Sequence, residues 1–384
     1  MQCSLRNTAD DDGSNKEGGD DHDITIIHIS DTHIAAADDR GARPQRDYDS
    51  RATFDLLCQR IADSGLRPDL IAVTGDICDA EHGERARQAY RHVGERLAAV
   101  GGRIGCPVAY SMGNHDERAA FRDVLLMQPA LPGNATLSSG AKLSDETASS
   151  GDATPPMHAV SPGIVNTSPR TDRTDRTDIA DTAALRGLRS DSRRSRPMEI
   201  RPSHPDDGVD YSFRLPTRAG ELRVIVLDSS MPGRNDGSLS AQQLNWLARL
   251  LGDSAPAGSV LLMHHPPVRP YQFEARQWEL DAASSANLAA VVRGSDVRAM
   301  LCGHVHLASA ATFAGVPVSI AGACSRNQDP FWSRATTHSW DANHSVNLVL
   351  LRSTGHGTES LITPAPLAGG DSSAASSPNL PPKR

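Results

Sequence analysis

Five short polar segments carry the side chains best suited to chemistry: D-T-H (Asp31, His33), G-D (Asp76), G-N-H-D (Asn114, His115, Asp116), H-H-P-P (His264, His265) and G-H-V-H (His304, His306). Among them are two strong carboxylates, one amide and four or more imidazoles, and no cysteine. Imidazole with carboxylate suits iron, manganese, zinc, cobalt or nickel, whereas an all-oxygen set suits magnesium or calcium and an all-thiolate set suits structural zinc. Two carboxylates, one amide and four imidazoles already make seven donors, too many for one tetrahedral ion. They fit two ions sharing a bridging carboxylate, roughly 3.5 to 4 Å apart, an arrangement suited to in-line displacement at phosphorus. Asp76, alone on its segment, is the expected bridge.

Taken singly, each segment has a plainer explanation. D-x-H after a strand is often a cap or turn, Gly-Asn is ordinary turn chemistry, the prolines of H-H-P-P can simply end a strand, and paired histidines can be core groups satisfied by hydrogen bonds. Their shared position argues otherwise, because the segments follow apolar runs that read as buried strands. The runs are ITIIHIS (24–30), LIAVT (70–74), PVAYS (107–111), LRVIVLD (222–228), VLLMH (260–264) and VRAMLC (297–302). Asp31 and His33, like His304 and His306, stand at i and i+2, which on an extended backbone points both side chains one way. Ligands of open α/β sheets bind beyond the carboxyl ends of the strands, so the five segments are expected to converge on one crevice.

Helical periodicity separates many of these runs: Ser50 to Asp63, Glu84 to Val100, Glu117 to Gln128, and Ala241 to Leu251 with Ser240 as N-cap and Gly252 as stop. Two later runs, 311–321 and 346–353, read as strands with no helix between them. The expected fold class is α/β, a layered αββα sandwich of two mixed sheets flanked by helices, with a dinuclear metal site at the strand C-terminal ends.

With 384 residues, only 4% of them aromatic, the chain need not fold throughout. Residues 1–23 read as a disordered acidic N-terminal tail and 364–384 as a disordered C-terminal tail rich in Pro, Ser, Ala and Gly. Between Phe121 and Tyr211 no aromatic residue occurs, and the stretch contains TDRTDRTD (171–178) and RSDSRRSR (189–196). Residues 134–207 therefore read as a low-complexity insertion in a domain spanning 24–363, tolerable because loop closure costs little extra entropy. The net charge of -8 opposes binding to polymeric nucleic acid but leaves room for a small anionic substrate. Six cysteines without a C-x-x-C pair suggest reduced, buried thiols. With no signal-like N-terminus and no apolar run near the roughly 18 residues of a membrane span, a soluble, cytoplasmic protein is expected.

In their order the five segments resemble the calcineurin-like metallophosphoesterase superfamily, whose pattern is D-x-H, G-D, G-N-H-D/E, a His, then G-H-x-H; the resemblance runs from Ile24 to about Ser353. Longer stretches, HISDTH, LRPDLIAVTGD, MGNHDER, MHHPP and RGSDVRAMLCGHVH, look like the bacterial class III cyclic-nucleotide phosphodiesterases. The resemblance implies that Asp31, His33 and His306 bind one metal and Asn114, His264 and His304 the other, with Asp76 shared, and it selects His264 over His265. It implies that His115 contacts the phosphoryl oxygen or protonates the leaving alkoxide, while Asp116 is expected to orient His115 or a metal ligand. The implied reaction is hydrolysis of a small phosphodiester such as 3′,5′-cyclic AMP by in-line attack of water. A phosphomonoesterase or a broad-specificity phosphodiesterase would use the same site, whereas a non-catalytic scaffold predicts missing ligands, and none is missing. The metals stay open among iron, manganese, zinc and cobalt, and the family suggests a homodimer. His28 alternates away from the site-facing ends and reads as structural, Cys78 and Cys302 as buried strand residues, and Arg40, Arg43 and Arg46 as parts of a solvated loop.

Overall fold

The computed structural model describes residues 23–36, 49–126, 199–200, 208–270, 279–328, 340–341, 344–354 and 357–367. The expected tail at 1–23 apart from Asp23, the expected insertion apart from Glu199–Ile200, residues 368–384 of the expected C-terminal tail, Cys3 and the loop arginines lie outside these residues.

Two mixed sheets form the centre. The first has the order β14 (Gly357–Pro366), β13 (Ser345–Thr354), β1 (Ile24–Ile29), β2 (Leu70–Thr74), β3 (Val108–Ser111). Strands β1, β2 and β3 run parallel, β13 is antiparallel to β1 with Ile24 opposite Leu351, and β14 is antiparallel to β13. The second sheet has the order β4 (Glu199–Ile200), β5 (Tyr211–Thr217), β6 (Gly220–Val226), β7 (Ser259–Leu262), β8 (Val297–Cys302), β10 (Val316–Ile320), β9 (Ser309–Phe313). From β6 to β10 it is parallel, with antiparallel strands on either side. A further pair, β11 (Asn327–Gln328) and β12 (Trp340–Asp341), stands apart.

The continuous apolar runs are explained by burial on both faces. Along β6, Val224 and Val226 belong to the main core with residues of both sheets, such as Val73 and Leu301. Ile225 and Leu227 belong to a second cluster, packed with Trp246 and Leu247 of α4 (Ala241–Leu250) and Leu288 of α5 (Ala282–Val292). Helix α1 (Ser50–Asp63) matches its expected bounds: the Asp49 side chain accepts from the Arg51 and Ala52 amides, and Phe54, Leu57, Cys58 and Ile61 form the buried stripe. In α4, Ser240 and Gln243 complete a reciprocal capping box.

Other expectations need correction. Helix α2 (Glu84–Ile104) runs past Val100 because Gly101 and Ile104 are buried with it, and it ends at Gly105 with φ +72°. Of the helix expected at Glu117 to Gln128, the described residues form a four-residue α3 (Arg118–Phe121) followed by a π turn (Arg122–Leu126), with Glu117 as its cap, and residues 127 and 128 lie outside them. The widened turn keeps Ala120, Phe121, Val124 and Leu125 all buried. The run 311–321 divides into a β9–β10 hairpin at Ala314 and Gly315, both with positive φ. Strand β14 continues to Pro366, beyond the boundary expected at residue 363. The five cysteines among the described residues are free and buried, and burial pushes the thiols of Cys58 and Cys106 up to about 12. Among the described residues no helix is long and apolar enough to cross a membrane.

The sheets are fastened to each other at the β3 edge. The Tyr211 hydroxyl, from the second sheet, donates to the Tyr110 carbonyl at 2.7 Å and accepts from the Tyr110 amide at 2.8 Å. Tyr211→Phe leaves both backbone groups buried without their partner, so thermal or urea unfolding should show a loss on the order of 2–4 kcal/mol. An unchanged midpoint would mean that this clasp contributes nothing.

Candidate metal centre

The five polar segments do meet, and backbone hydrogen bonds bring them together. Asp31 N–H donates to Gly75 O and His33 N–H to Asp76 O, so the D-T-H segment runs alongside the G-D segment. Gly303 N–H donates to His264 O, joining the exits of β7 and β8. The local geometry differs from the expected i, i+2 alternation of an extended strand. Asp31, His33, Asp76, His304 and His306 all have positive φ, between 43° and 73°. Non-glycine residues are uncommon in that region and gather at functional sites, where surrounding contacts hold the strain.

Each carboxylate uses one oxygen for the backbone and turns the other to imidazoles. Asp31 Oδ2 accepts the His304 N–H at 2.9 Å, while Oδ1 lies 3.3 Å from His306 Nε2 and 3.9 Å from His33 Nε2. Asp76 Oδ1 accepts the His115 N–H at 2.9 Å, while Oδ2 lies 3.3 Å from His264 Nε2, 3.7 Å from His33 Nε2 and 4.0 Å from His115 Nε2. Donor atoms of Asp31, His33 and His306 cluster, as do those of Asp31, Asp76 and His264. Such close approach of backbones needs glycine. A Cβ on Gly113 would overlap the Asp76 carboxylate, and one on Gly303 would overlap Ser30 Oγ and Asp31 Oδ2.

The donor chemistry fits cations. His306 Nδ1 donates to Arg326 O at 2.8 Å, and His33 Nδ1 lies 3.3 Å from Asp79 Oδ1, which leaves the two Nε2 atoms as acceptors facing each other at 3.0 Å. Facing acceptors need a shared cation or proton between them. Asn114 Oδ1 is buried and accepts no hydrogen bond, so its oxygen too is available as a ligand. Burial alone would raise Asp31 and Asp76, yet His306 beside Asp31, and His264, His115 and His33 around Asp76, hold both carboxyls well below the usual range.

The structure also separates the two histidines of H-H-P-P. His264 Nδ1 donates to Thr74 O at 2.7 Å, directing Nε2 at Asp76. His265 has both ring nitrogens engaged elsewhere, Nδ1 with Ser229 Oγ at 2.9 Å and Nε2 with Asn235 O at 3.1 Å, and it packs beside His304. Asp116 reaches the candidate ligands through the backbone of their loops. Its oxygens accept from the amides of Ile77, Cys78 and Gly113 and from the Tyr90 hydroxyl, so it ties the G-D segment to the G-N-H-D segment. Burial, with Asp76 nearby, raises it to about 6 against those amides. Sequence reasoning passed over Asp79, which is buried with Oδ1 3.3 Å from His33 Nδ1 and 3.9 Å from His115 Nδ1. Its only signal was a second acid three residues after Asp76. Arg118, also passed over, donates to Asp228 Oδ2 and to Ser230 O, anchoring the α3 end of the site to the second sheet.

Residues 24–308 match the calcineurin-like phosphoesterase family. A cAMP/cGMP dual specificity phosphodiesterase of Mycobacterium tuberculosis is 32% identical over 329 residues, 85% of this chain and 76% of that protein. A "Probable cyclic nucleotide phosphodiesterase" of Rhodococcus erythropolis is 32% identical over 304 residues, covering 79% of this chain and 72% of its own. Over 86 residues, 22% of this chain and 31% of the other, the 3′,5′-cyclic adenosine monophosphate phosphodiesterase CpdA of Escherichia coli is 33% identical.

Two outcomes follow from this geometry. Gly113→Ala should leave a folded chain that binds metal on the order of 10–100-fold more weakly, because the Asp76 carboxylate must move; retention of affinity would show that the loop can yield. A proton competes with metal for His264. Burial lowers that imidazole, but Asp76, the strongest of the opposing groups, carries it up to about 9. Below that pH metal must expel the proton, so affinity should rise with pH up to about 9 and gain nothing further from this group above it. Calorimetric titration in buffers of different ionisation heat measures the released proton, and pH-independent binding would contradict the assignment.

Proposed function

The chain belongs to the calcineurin-like phosphoesterase family of hydrolases acting on phosphoric ester bonds, and from that premise we propose that it hydrolyses small phosphodiesters, 3′,5′-cyclic nucleotides such as cyclic AMP foremost, by in-line attack of water. The observation that carries the reading is Asp76 Oδ2, faced by His33 from one donor group and His264 from the other. In this reading Asp31, His33 and His306 hold one cation, Asn114, His264 and His304 the second, and Asp76 bridges them. Iron, manganese, zinc or cobalt suits these nitrogen and oxygen donors, and two such ions supply Lewis acidity for the phosphoryl oxygens and the attacking water.

The protein's own groups do the rest. His115 is about a third exposed at the cleft, with Nε2 beside Asp76 and Nδ1 toward Asp79. In this reading a proton carried on Nε2 passes to the departing alkoxide, while Nδ1 lies 3.9 Å from Asp79 Oδ1. Asp116 acts at a distance, holding the two loops in register through backbone amides. The cyclic-nucleotide preference is supported by the names of the two relatives that match over most of the chain, and a small diester suits a protein of net charge -8 better than a polyanion does.

The test is turnover of cyclic AMP, bis(p-nitrophenyl) phosphate and p-nitrophenyl phosphate by one sample whose metal content is measured. About two transition-metal ions per chain with diester hydrolysis is the expected result. Preference for the monoester would make the protein a phosphomonoesterase, and bound metal without turnover would make it a scaffold. Asp76→Ala should lose both metal and hydrolysis. His115→Ala should keep its metal and lose roughly 10²–10⁴ in rate; metal loss in that variant would make His115 a ligand instead.

A further inference from the structure

Between the sheets, beneath the ligand-bearing loops, lies a line of fully buried polar side chains that the hydrolytic chemistry does not use. His28 of β1 places Nδ1 3.0 Å from Ser319 Oγ of β10 and Nε2 2.9 Å from Thr74 Oγ1 at the end of β2. Asn347 of β13, directly opposite His28 in register, donates from Nδ2 to Ser319 Oγ and to Ile320 O, each at 3.0 Å. All four side chains are at 0% exposure. A polar group in such a place costs free energy unless every bond is made, and an aliphatic residue like the neighbouring Ile26 would be the cheaper occupant.

The hydrogens can be assigned from the network. Ile320 O only accepts, so the Asn347 amide nitrogen must face it and also donate to Ser319 Oγ. The Ser319 hydroxyl hydrogen then goes to His28 Nδ1, and His28 Nε2–H donates to Thr74 Oγ1. Burial brings the His28 imidazole down to about 3 against the pull of Asp31, so it is neutral and keeps this single tautomer. Thr74 is thereby held by its hydroxyl. Its carbonyl accepts from His264 Nδ1 at 2.7 Å and from Ser30 Oγ at 3.0 Å, and the next residues are Gly75 and Asp76.

We propose that His28 is a positioning residue: by donating to Thr74 Oγ1 it fixes the carbonyl that sets the tautomer and ring direction of His264, and so sets the affinity of the cation held by His264. The inference rests on the proposed metal centre, and on no choice of substrate. An imidazole that merely fills space would act through volume alone; one that positions Thr74 acts through a donor and an acceptor, which glutamine can reproduce and leucine cannot.

The test is Co²⁺ titration of the full chain after metal removal, followed by visible ligand-field absorption, with thermal unfolding of each metal-free sample alongside. His28→Leu should weaken one of two cobalt equivalents on the order of 10–100-fold and spare the other. His28→Gln should return that equivalent to near the wild-type value. Thr74→Val should weaken the same equivalent, and the double variant H28L/T74V should be no weaker than either alone, because both break one path. Wild-type affinity in His28→Leu, equal weakening in the Leu and Gln variants, or multiplying effects in the double variant would each overturn the proposal. If His28→Leu does not fold, Thr74→Ser against Thr74→Val decides: affinity kept by serine and lost by valine supports it, and affinity kept by both overturns it. Wild-type protein with two cobalt ions and no cyclic AMP hydrolysis refutes the proposed substrate and leaves this inference standing. Wild-type protein that binds no cobalt overturns both.

Discussion

Two buried carboxylates, each with one oxygen on a backbone amide and the other turned to imidazoles, are the constraint around which the rest is arranged. Burial opposes the ionised form of Asp31 and Asp76, and the surrounding histidines keep them charged. That balance survives only at short range, so loops from β1, β2, β3, β7 and β8 must approach one another within hydrogen-bond distance. The amides of His115 and His304 make the approach specific, because each belongs to a different loop from the carboxylate that it meets. Gly113 and Gly303 make it possible, since no side chain fits where those loops cross.

The sheets supply the rigidity for this. Strands of the second sheet are apolar on both faces, so neither their register nor their exit points can slip without exposing a core. Asp116 and Arg118 extend that rigidity into the loops. The first binds three amides of two segments, and the second reaches Asp228 across to the other sheet. Both lie within the G-N-H-D-E-R stretch, which therefore combines candidate ligand, candidate proton donor and two anchors in six consecutive positions.

Much of this was legible in the sequence because two signals were strong. Uninterrupted apolar runs mark doubly buried strands, and side chains such as His304 and His306 after such a run have little to do in a core. The same signals could not reveal positive φ at Asp31, His33, Asp76, His304 and His306, since the strain comes from contacts made after the loops meet. Nor could they reveal which amides Asp116 binds, because those of Ile77 and Cys78 belong to another strand's loop. Asp79 was missed for a similar reason: it follows Asp76 by three residues, and its partner His33 is on another strand's loop. The helix expected from Glu117 onward failed where the π turn adds a residue to satisfy packing rather than periodicity.

The strand order has a consequence for how the molecule comes into being. Strand β1 sits in the middle of its sheet, between β2 and the much later β13, and Asp31 meets His304 across 273 positions of chain. Three of the five polar segments therefore leave the ribosome long before the histidines that complete them. A nascent chain that carries D-T-H, G-D and G-N-H-D holds Asp31 and Asp76 without His306 and His264, the imidazoles that lie 3.3 Å from them, and a first sheet open along the β1 edge. That open edge is a surface for intermolecular strand pairing until β13 closes it, so the late strands guard against aggregation during synthesis as well as completing the centre.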